Sequence, residues 1–305
     1  MEGEKFFRFS HTYTSTVWGG GGIRNRYRRD DTPNPCSESW EISAHPAGRS
    51  IVRGGKFDGV ALDELTARLG AGLVGTKAPD AGKFPLLFKI IDARLPLSVQ
   101  VHPNERTVSL TGGEAKAEAW YVLGGSPDAM LYAGLRNPVG AEVLRDAARN
   151  GDAIAELVKC IPVSTGDFLF LPGGTPHAIG GGLMIYEVQQ SSDTTYRLYD
   201  WGRVGVDGKP RELHIEKALM AMNPDAAPPL VLKGSVETPY FTIRDIALSK
   251  PQRLVADGTS FIAVFVASGA ITEAAAGESL LLPAVGGELV MEPSAPDTHV
   301  LVTTL

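Results

Sequence analysis

The chain has 305 residues, of which 43% are hydrophobic, and carries a formal net charge of −6 at pH 7. A chain of this length can bury a sizeable core and hold one large or two modest domains. The acidic balance argues against a general nucleic-acid-binding protein, and two cysteines without a CxxC spacing argue against a disulfide framework or a thiolate metal site. No N-terminal apolar stretch is long enough for a signal peptide or a membrane span, so we expect a cytoplasmic protein with neither a membrane nor a nucleic-acid partner.

Near the start of the chain, a glycine run precedes a group of arginines. Gly19–Gly22 is not followed by a Gly-Lys-Ser/Thr sequence, so we interpret the run as a tight turn and not as a phosphate-binding loop. The arginines form a short basic patch, which could be a solvated loop or could recruit a phosphate group, and we interpret it as a solvated loop. They are Arg24, Arg26, Arg28 and Arg29.

Short β-like runs separated by glycine and proline dominate the chain, and helical patterns are few. Amphipathic stripes predict one helix near residues 61–70, a helical pair near 140–160 inserted between strands, and a third helix over 214–222. A linker over 223–229 follows, and the rest of the chain reads as strands. The sequence therefore predicts a mainly β fold with a few inserted helices.

The segment Leu95–Pro103 alternates so regularly that a strand would place Ser98, Gln100 and His102 on one face. Apolar side chains then occupy the other face. A hydroxyl, an amide and an imidazole on one face are what a metal- and oxyanion-binding wall needs. The alternative is a solvated strand face with an ordinary surface histidine.

A second cluster begins where Phe168–Ile179 runs from an apolar strand through a Pro/Gly turn to His177. Three glycines then lead into a strand, Leu183–Gln190, and the pattern predicts a hairpin that could set His177 near Glu187.

Between the two clusters, Lys116 and Glu118 stand at i and i+2 and share a strand face. Two histidines, one glutamate and one glutamine therefore converge as potential ligands.

These motifs resemble those of the type I mannose-6-phosphate isomerases, metal-dependent phosphomannose isomerases of the cupin class, in the shorter form found in many bacteria. The matching segments occur in the family's order and span roughly the first two-thirds of the chain. They are Glu38–Ser43 with His45, Phe84–Lys89, Ser98–Pro103, Lys116–Val122, Gly174–Ala178 and Ser192–Asp200. The resemblance implies a cupin-type jelly-roll β-sandwich catalytic domain over residues 1–225 and a smaller, cupin-like C-terminal β-sandwich over 226–305.

For the metal, the resemblance points to Gln100, His102, Glu118 and His177. An amide oxygen, a carboxylate and two imidazoles suit zinc and tolerate manganese, cobalt or iron(II). With one anionic ligand, a divalent ion keeps a net charge of about +1, which can stabilise an enediolate. We therefore expect one divalent ion, zinc, as the cofactor of an isomerase that interconverts D-mannose 6-phosphate and D-fructose 6-phosphate.

For catalysis, the family positions that line the active site match Lys116, Glu187, Asp193 and Arg197. Arg197 stays protonated and could support the enediolate or orient the substrate. Glu187 could act as acid or base if burial raised its pKa, and Lys116 could do so if the metal lowered its own. The sequence does not decide between them. In the alternative, Arg197 forms an ion pair with Asp193 or Glu187 that only closes the barrel.

For the phosphate of this small-molecule substrate, Ser98 is the best single residue, and Lys89 resembles the family's lysine in the Leu-Leu-Phe-Lys run. Two other classes of function are open. One is a cupin dioxygenase that uses iron(II), which would leave Lys116, Asp193 and Arg197 without a role. The other is a catalytically silent module that senses sugars or binds a partner. The oligomeric state is not predicted.

Overall fold

The structure is a computed structural model, and it describes residues 4–205 and 208–305. Within these ranges the fold is mainly antiparallel β, as predicted, with 21 strands and seven short helices. The strands are β1 Thr12–Thr14, β2 Glu38–Ile42, β3 Leu86–Ala93, β4 Val99–Val101, β5 Glu118–Gly125, β6 Met130–Leu135, β7 Val158–Pro162, β8 Asp167–Leu171, β9 His177–Ile179, β10 Leu183–Gln190, β11 Tyr196–Tyr199, β12 Leu232–Lys233, β13 Ser235–Glu237, β14 Thr242–Leu248, β15 Gln252–Val255, β16 Ile262–Ser268, β17 Ala270–Ile271, β18 Ala274–Ala275, β19 Ser279–Leu282, β20 Glu288–Met291 and β21 Thr298–Thr304. The helices are α1 Gly22–Tyr27, α2 Leu62–Leu69, α3 Ala71–Val74, α4 Val108–Thr111, α5 Ala141–Arg149, α6 Ala153–Leu157 and α7 Ile215–Ala221.

Helices α2, α5, α6 and α7 lie within the segments that the apolar periodicity predicts as helical. Their apolar stripes are buried, as the residues Leu62 and Leu65 of α2 show. The interpretation of the arginine group as a loop is wrong for its first half, since residues 22–27 form α1. A single buried side chain, Ile23, anchors this helix, which is too short to show a periodic pattern.

The chain forms two compact units, and each draws on separate stretches of sequence. The first unit comprises Tyr13–Ser39 and Ile90–Leu232, and the second comprises the chain up to Thr12, Trp40–Lys89 and Lys233–Leu305. The predicted domains, 1–225 and 226–305, are contiguous, whereas in the second unit distant segments pair directly. The backbone N–H of Phe7, for example, donates to the carbonyl of Leu281 at 2.8 Å. The catalytic and cupin-like roles assigned to the two predicted domains stay predictions.

Two sheets pack face to face in the first unit. A five-stranded sheet has the order β11-β4-β9-β6-β7, and β10, β5 and β8 are adjacent in a seven-stranded sheet of order β1-β2-β3-β10-β5-β8-β12. Strands β2 and β3 of the larger sheet have residues in both units. Inner-face residues of both sheets share one hydrophobic cluster, which is the arrangement of a β-sandwich. They include Trp120, Leu169 and Ile185 from the larger sheet and Leu131, Ala133 and Ile179 from the smaller one.

The predicted hairpin between residues 177–179 and 183–190 is wrong. Strand β9 pairs with β4 and β6 in the five-stranded sheet, whereas β10 pairs with β5 in the other sheet. Glycines make this crossing possible. A Cβ on Gly180 would lie 2.1 Å from the carbonyl oxygen of Met130, and Gly182 has a φ of +81°. His177 and Glu187 therefore approach from opposite sheets and not along one ribbon.

The second unit contains the C-terminal strands. A five-stranded sheet of order β13-β14-β21-β16-β19 is accompanied by the pair β15-β20, and apolar residues of both pack into one cluster. No helix in the described part of the chain is long and apolar enough to cross a bilayer.

Candidate metal centre

One row of residues crosses the five-stranded sheet at β4. Gln100 lies opposite His177 of β9 on one side and opposite Arg197 of β11 on the other. The neighbours Val99 and Val101 are fully buried in a cluster on the outer face, where α5, α6 and α7 contribute side chains. Because successive side chains alternate, Gln100 faces the interior of the sandwich.

Strand β5 supplies the facing side of the site from the other sheet. Glu118 is paired with Gln189 of β10, and Trp120, two residues later, is paired with Glu187. Lys116 precedes the strand, and the predicted i, i+2 relation holds, because its Nζ lies 2.9 Å from Oε2 of Glu118. The acidic and basic groups of the site therefore come mainly from one sheet and the imidazoles from the other.

Three side chains converge between the sheets. Nε2 of His102 lies 3.4 Å from Oε2 of Glu118, and Nε2 of His177 lies 3.3 Å from Oε1 of the same carboxylate. One donor atom from each residue lies within 4.8 Å of the other two, and all three side chains are at most 2% exposed. This geometry brings together three of the four predicted ligands.

Backbone carbonyls fix the orientation of both imidazoles. Nδ1 of His102 is 2.8 Å from the carbonyl oxygen of Thr194, and Nδ1 of His177 is 2.8 Å from that of Thr175. Since a carbonyl oxygen only accepts, each Nδ1 carries the hydrogen and donates it, and each Nε2 presents a lone pair toward Glu118. Such outer contacts are typical of histidines that ligate metals.

The Glu118 carboxylate completes a donor set that fits a divalent ion. Both of its oxygens are buried, and neither accepts a hydrogen bond of good geometry from the part of the chain that is described, although Lys116 forms an ion pair with it. A buried carboxylate without hydrogen bonds calls for a partner such as an ion. Two imidazole lone pairs and one carboxylate directed at a common point are ligands that zinc takes in proteins.

Gln100, the fourth predicted ligand, presents the other end of its amide. Its Nε2 lies 3.3 Å from Nε2 of His177, while its Oε1 accepts a hydrogen bond from Oγ of Ser98 at 3.1 Å. A half-turn of the amide would exchange these atoms and direct Oε1 toward the ligand set, and Ser98 could then accept from Nε2. Ser98, which is 2% exposed, is therefore bonded to the ligand set.

Burial and charge keep the three ligands in the form that a metal requires. Burial, together with the nearby charge of Lys116, lowers the pKa of His102 to about 3, and burial also lowers the pKa of His177. Burial opposes the charge of Glu118, but Lys116 and the two histidines outweigh it and hold the pKa of this carboxyl well below its usual range. Both imidazoles are thus neutral and the carboxylate is ionised.

Lys116 is an ammonium in this surrounding. Its Nζ lies 3.1 Å from Nε2 of His102 and 4.0 Å from Oε1 of Glu187. Burial opposes its charge, but the carboxylates of Glu118 and Glu187 outweigh burial and raise the pKa of Lys116 above its ordinary value. Lys116 therefore keeps its proton and can donate a hydrogen bond beside the ligand set.

Trp120 is a site residue that the sequence interpretation missed. Its Nε1 donates to Oε2 of Glu187 at 2.9 Å, and its ring meets that of His177 edge to face, with 5.4 Å between the centroids. It therefore fixes the Glu187 carboxylate from within the hydrophobic core. The signal was available, because Trp120 stands two residues after Glu118 on the same strand face.

Arg197 lies next to Gln100 in the sheet. Its Nε is buried and has no hydrogen-bond partner, and burial, followed by the charge of Arg211, lowers its pKa. The predicted alternative, an ion pair with Asp193 or Glu187, is absent from the described residues. Asp193 itself is exposed on the loop before β11 and acts on Arg197 only through its charge.

Lys89 belongs to the second unit and not to the one that holds the ligands. It lies on β3, is 4% exposed, and places its Nζ 4.8 Å from the centroid of the Trp40 ring, a cation–π contact. Its predicted role in substrate binding stays a prediction.

Comparison with known proteins agrees with the resemblance that the motifs carry. The family model for the phosphomannose isomerase type I catalytic domain matches residues 6–123. The mannose-6-phosphate isomerase of Streptococcus mutans serotype c is 42% identical over 238 residues, which are 74% of this chain and 74% of that protein. Mannose-6-phosphate isomerase ManA of Bacillus subtilis is 37% identical over 222 residues, 72% of this chain and 69% of that protein.

The fold agrees as well. The crystal structure of the mannose 6-phosphate isomerase from Bacillus subtilis matches 99% of this chain and 100% of its own with a TM-score of 0.86, at 27% sequence identity. The sequence similarity to the streptococcal protein covers 74% of both chains. The chain therefore belongs to the type I phosphomannose isomerase family.

Proposed function

We propose that the protein is a metal-dependent aldose–ketose isomerase that interconverts D-mannose 6-phosphate and D-fructose 6-phosphate through an enediolate. The observation that carries the proposal is the buried group of His102, Glu118 and His177, with Lys116 against it, in a chain of this family. A dioxygenase would leave the buried ammonium between Glu118 and Glu187 without a task. A silent binding module would not need a buried carboxylate that lacks hydrogen bonds.

His102, Glu118 and His177 would hold one divalent ion, zinc by the preference of this donor set, and Gln100 would join them through Oε1. When bound, the ion supplies Lewis-acid stabilisation of the negative charge that isomerisation develops on the sugar oxygens. The ligand set itself adds only one negative charge, so it leaves that stabilisation largely uncancelled.

We assign proton transfer between C1 and C2 to Glu187, with Lys116 beside it. Trp120 holds Oε2 of Glu187, and Oε1 faces Nζ of Lys116 at 4.0 Å. A carboxylate in this position can take the proton from one carbon and return it to the other. The ammonium of Lys116 can donate a hydrogen bond to the sugar oxygen on which charge accumulates.

Arg197 enters the proposal as the fixed positive charge that faces the enediolate or the substrate, since no carboxylate of the described chain neutralises it in an ion pair. The exposed carboxylate of Asp193 would partly offset the electrostatic potential of Arg197 at the substrate. We place the protein in the cytoplasm, with the phosphosugar as its partner and with no nucleic-acid or membrane partner.

A coupled assay that follows fructose 6-phosphate formation from mannose 6-phosphate, with and without a chelator, tests the proposal. We expect turnover that chelation abolishes and added zinc restores. Oxygen uptake with iron(II) would support the dioxygenase class instead. A thermal shift on sugar binding without turnover would support the silent module. Glu187→Gln should bind metal normally and lose isomerase activity, whereas loss of metal in this variant would move Glu187 into the ligand set.

A further inference from the structure

A second cavity, of about 360 Å³, lies in the first unit beside the glycine run. Its lining comes from Gly20–Gly22 at the start of α1, from the end of β3 and from the β5 and β10 ends that pair with each other. A volume of this size lies at the lower end of what small-molecule sites occupy. The metal centre uses none of these residues.

Two arginines line this cavity and make few contacts within the protein. Arg26, on α1, has only a ring contact with Tyr27, at 5.7 Å, and none of its guanidinium nitrogens forms a hydrogen bond within the described chain. Arg94 donates from Nε to the carbonyl oxygen of Gly19 at 3.2 Å, which leaves its terminal nitrogens available. By contrast Arg24, on the same helix, reaches Asp30 at 3.9 Å. Of the arginines in the basic patch, Arg26 therefore lines the cavity and Arg24 does not.

Two glycines of the lining lie close to side chains of Arg26, Asp92 and Arg94. A Cβ on Gly124 would lie 3.1 Å from Nη1 of Arg26, and a Cβ on Gly20 would lie 2.9 Å from Oδ2 of Asp92 and 3.2 Å from Cβ of Arg94. Any larger side chain at these positions would fill the space beside the arginines. The wall is therefore mostly backbone, a surface that a compact polar ligand can approach.

Asp92 is the one acidic residue in the lining, and its carboxylate is already bonded to the first residues of α1. It accepts from the backbone N–H of Gly22 and of Ile23. Two guanidinium groups against one committed carboxylate give the cavity a net charge of +1, in a chain whose net charge is −6. The local field therefore favours an anion.

The cavity is distant from the metal centre. Gly124 stands six residues after Glu118 on β5, which corresponds to about 20 Å at the usual rise of a strand. A ligand here would not touch the reacting sugar at the other end of the same strand.

We propose that this cavity is a second binding site, which takes a phosphate group. Arg26 and Arg94 would bind its oxygens. A guanidinium donates two parallel hydrogen bonds to a phosphate and keeps its charge at any ordinary pH. The group could belong to a small phosphate ester or be the free ion, and both present the same oxygens. The proposal is independent of the isomerase function.

Titration calorimetry of the metal-loaded enzyme with inorganic phosphate tests the site. Arg26→Gln should leave the fold intact, because the Arg26 guanidinium makes no hydrogen bond within the described chain. The double variant, Arg26→Gln with Arg94→Gln, removes both phosphate-binding residues. We expect phosphate binding at this site to weaken roughly tenfold or more in the double variant. The control, Arg24→Gln with Arg149→Gln, removes the same charge outside the cavity and should bind phosphate like the wild type.

Steady-state kinetics of the same variants show whether the second site is distinct from the substrate site. The KM for mannose 6-phosphate should change by less than about twofold in the double variant, because the cavity is remote from the metal centre. Tighter binding of glycerol 3-phosphate than of inorganic phosphate would assign the site to esters, and equal binding would assign it to the free ion. Unchanged phosphate binding in the double variant, an equal loss in the control, or a KM that rises with the phosphate Kd would overturn the proposal.

Discussion

The ion pair of Lys116 and Glu118 should show strong coupling in a double-mutant cycle on the metal-free protein. The two groups are 2.9 Å apart and at most 5% exposed, so removing either one leaves the other charge buried. We expect Glu118→Gln and Lys116→Met each to lower the free energy of unfolding by about 3 kcal/mol, the usual cost of breaking a buried pair. Glu187, 4.0 Å from Lys116, offsets part of the loss when Glu118 is the group removed.

The double variant, Glu118→Gln with Lys116→Met, shows whether the two charges are coupled, because it replaces both with neutral groups of similar volume. Such replacements are often close to neutral, so the double variant should lose about 1–2 kcal/mol and not about 6. Urea denaturation of chelator-treated protein at neutral pH gives all four values. A coupling energy below about 0.5 kcal/mol would mean that the pair does not interact, and the charge distribution described for the site would be wrong.

Three further changes test individual residues. Arg197→Lys should lower kcat about tenfold or more and raise KM less, since lysine keeps the charge but not the planar fork; steady-state kinetics with an unchanged kcat would make Arg197 structural. Because Ser98 donates to Gln100, Ser98→Ala should reduce kcat/KM for mannose 6-phosphate and for mannose by the same factor. The role of Ser98 in phosphate binding stays a prediction, and a loss of about tenfold to a hundredfold confined to the phosphorylated sugar would support it. Asp200 is buried; burial opposes its charge, but hydrogen bonds from Arg211 and Arg203 outweigh it and hold its pKa below the ordinary value. Asp200→Asn should therefore cost about 2 kcal/mol at neutral pH. A group with a depressed folded pKa stabilises above its unfolded pKa, about 3.9, and loses that effect as the pH falls through the folded value, so denaturation curves of the two proteins should converge in acid and not at alkaline pH.

Strand periodicity accounts for what could be predicted of the site. The alternation around Gln100 and the i, i+2 spacing of Lys116 and Glu118 each place side chains on one face, and the structure has them so. These relations are local, and a period of two residues determines them wherever the strand lies. The mainly β class follows from the same patterns. The isomerase function was predicted from the resemblance to the family and not from periodicity.

Other features depend on distant pairing or on the backbone, and the sequence pattern does not contain them. Glycines 180–182 are compatible with a hairpin and with a crossing between sheets, and only the partners available to β9 and β10 decide which forms. The imidazole orientations come from carbonyl groups of Thr175 and Thr194, which every residue possesses. The unpaired state of Arg197 likewise results from where its neighbours lie in space.

The ligands come from both layers of the sandwich. His177 belongs to β9 of the five-stranded sheet, His102 directly follows β4 of the same sheet, and Glu118 belongs to β5 of the other sheet. A divalent ion held by these three residues would link the two layers of the sandwich. Its binding free energy would then add to the free energy of unfolding, which would rise with the concentration of free metal. Metal starvation would thus destabilise the folded protein as well as abolish the metal-dependent reaction proposed for it.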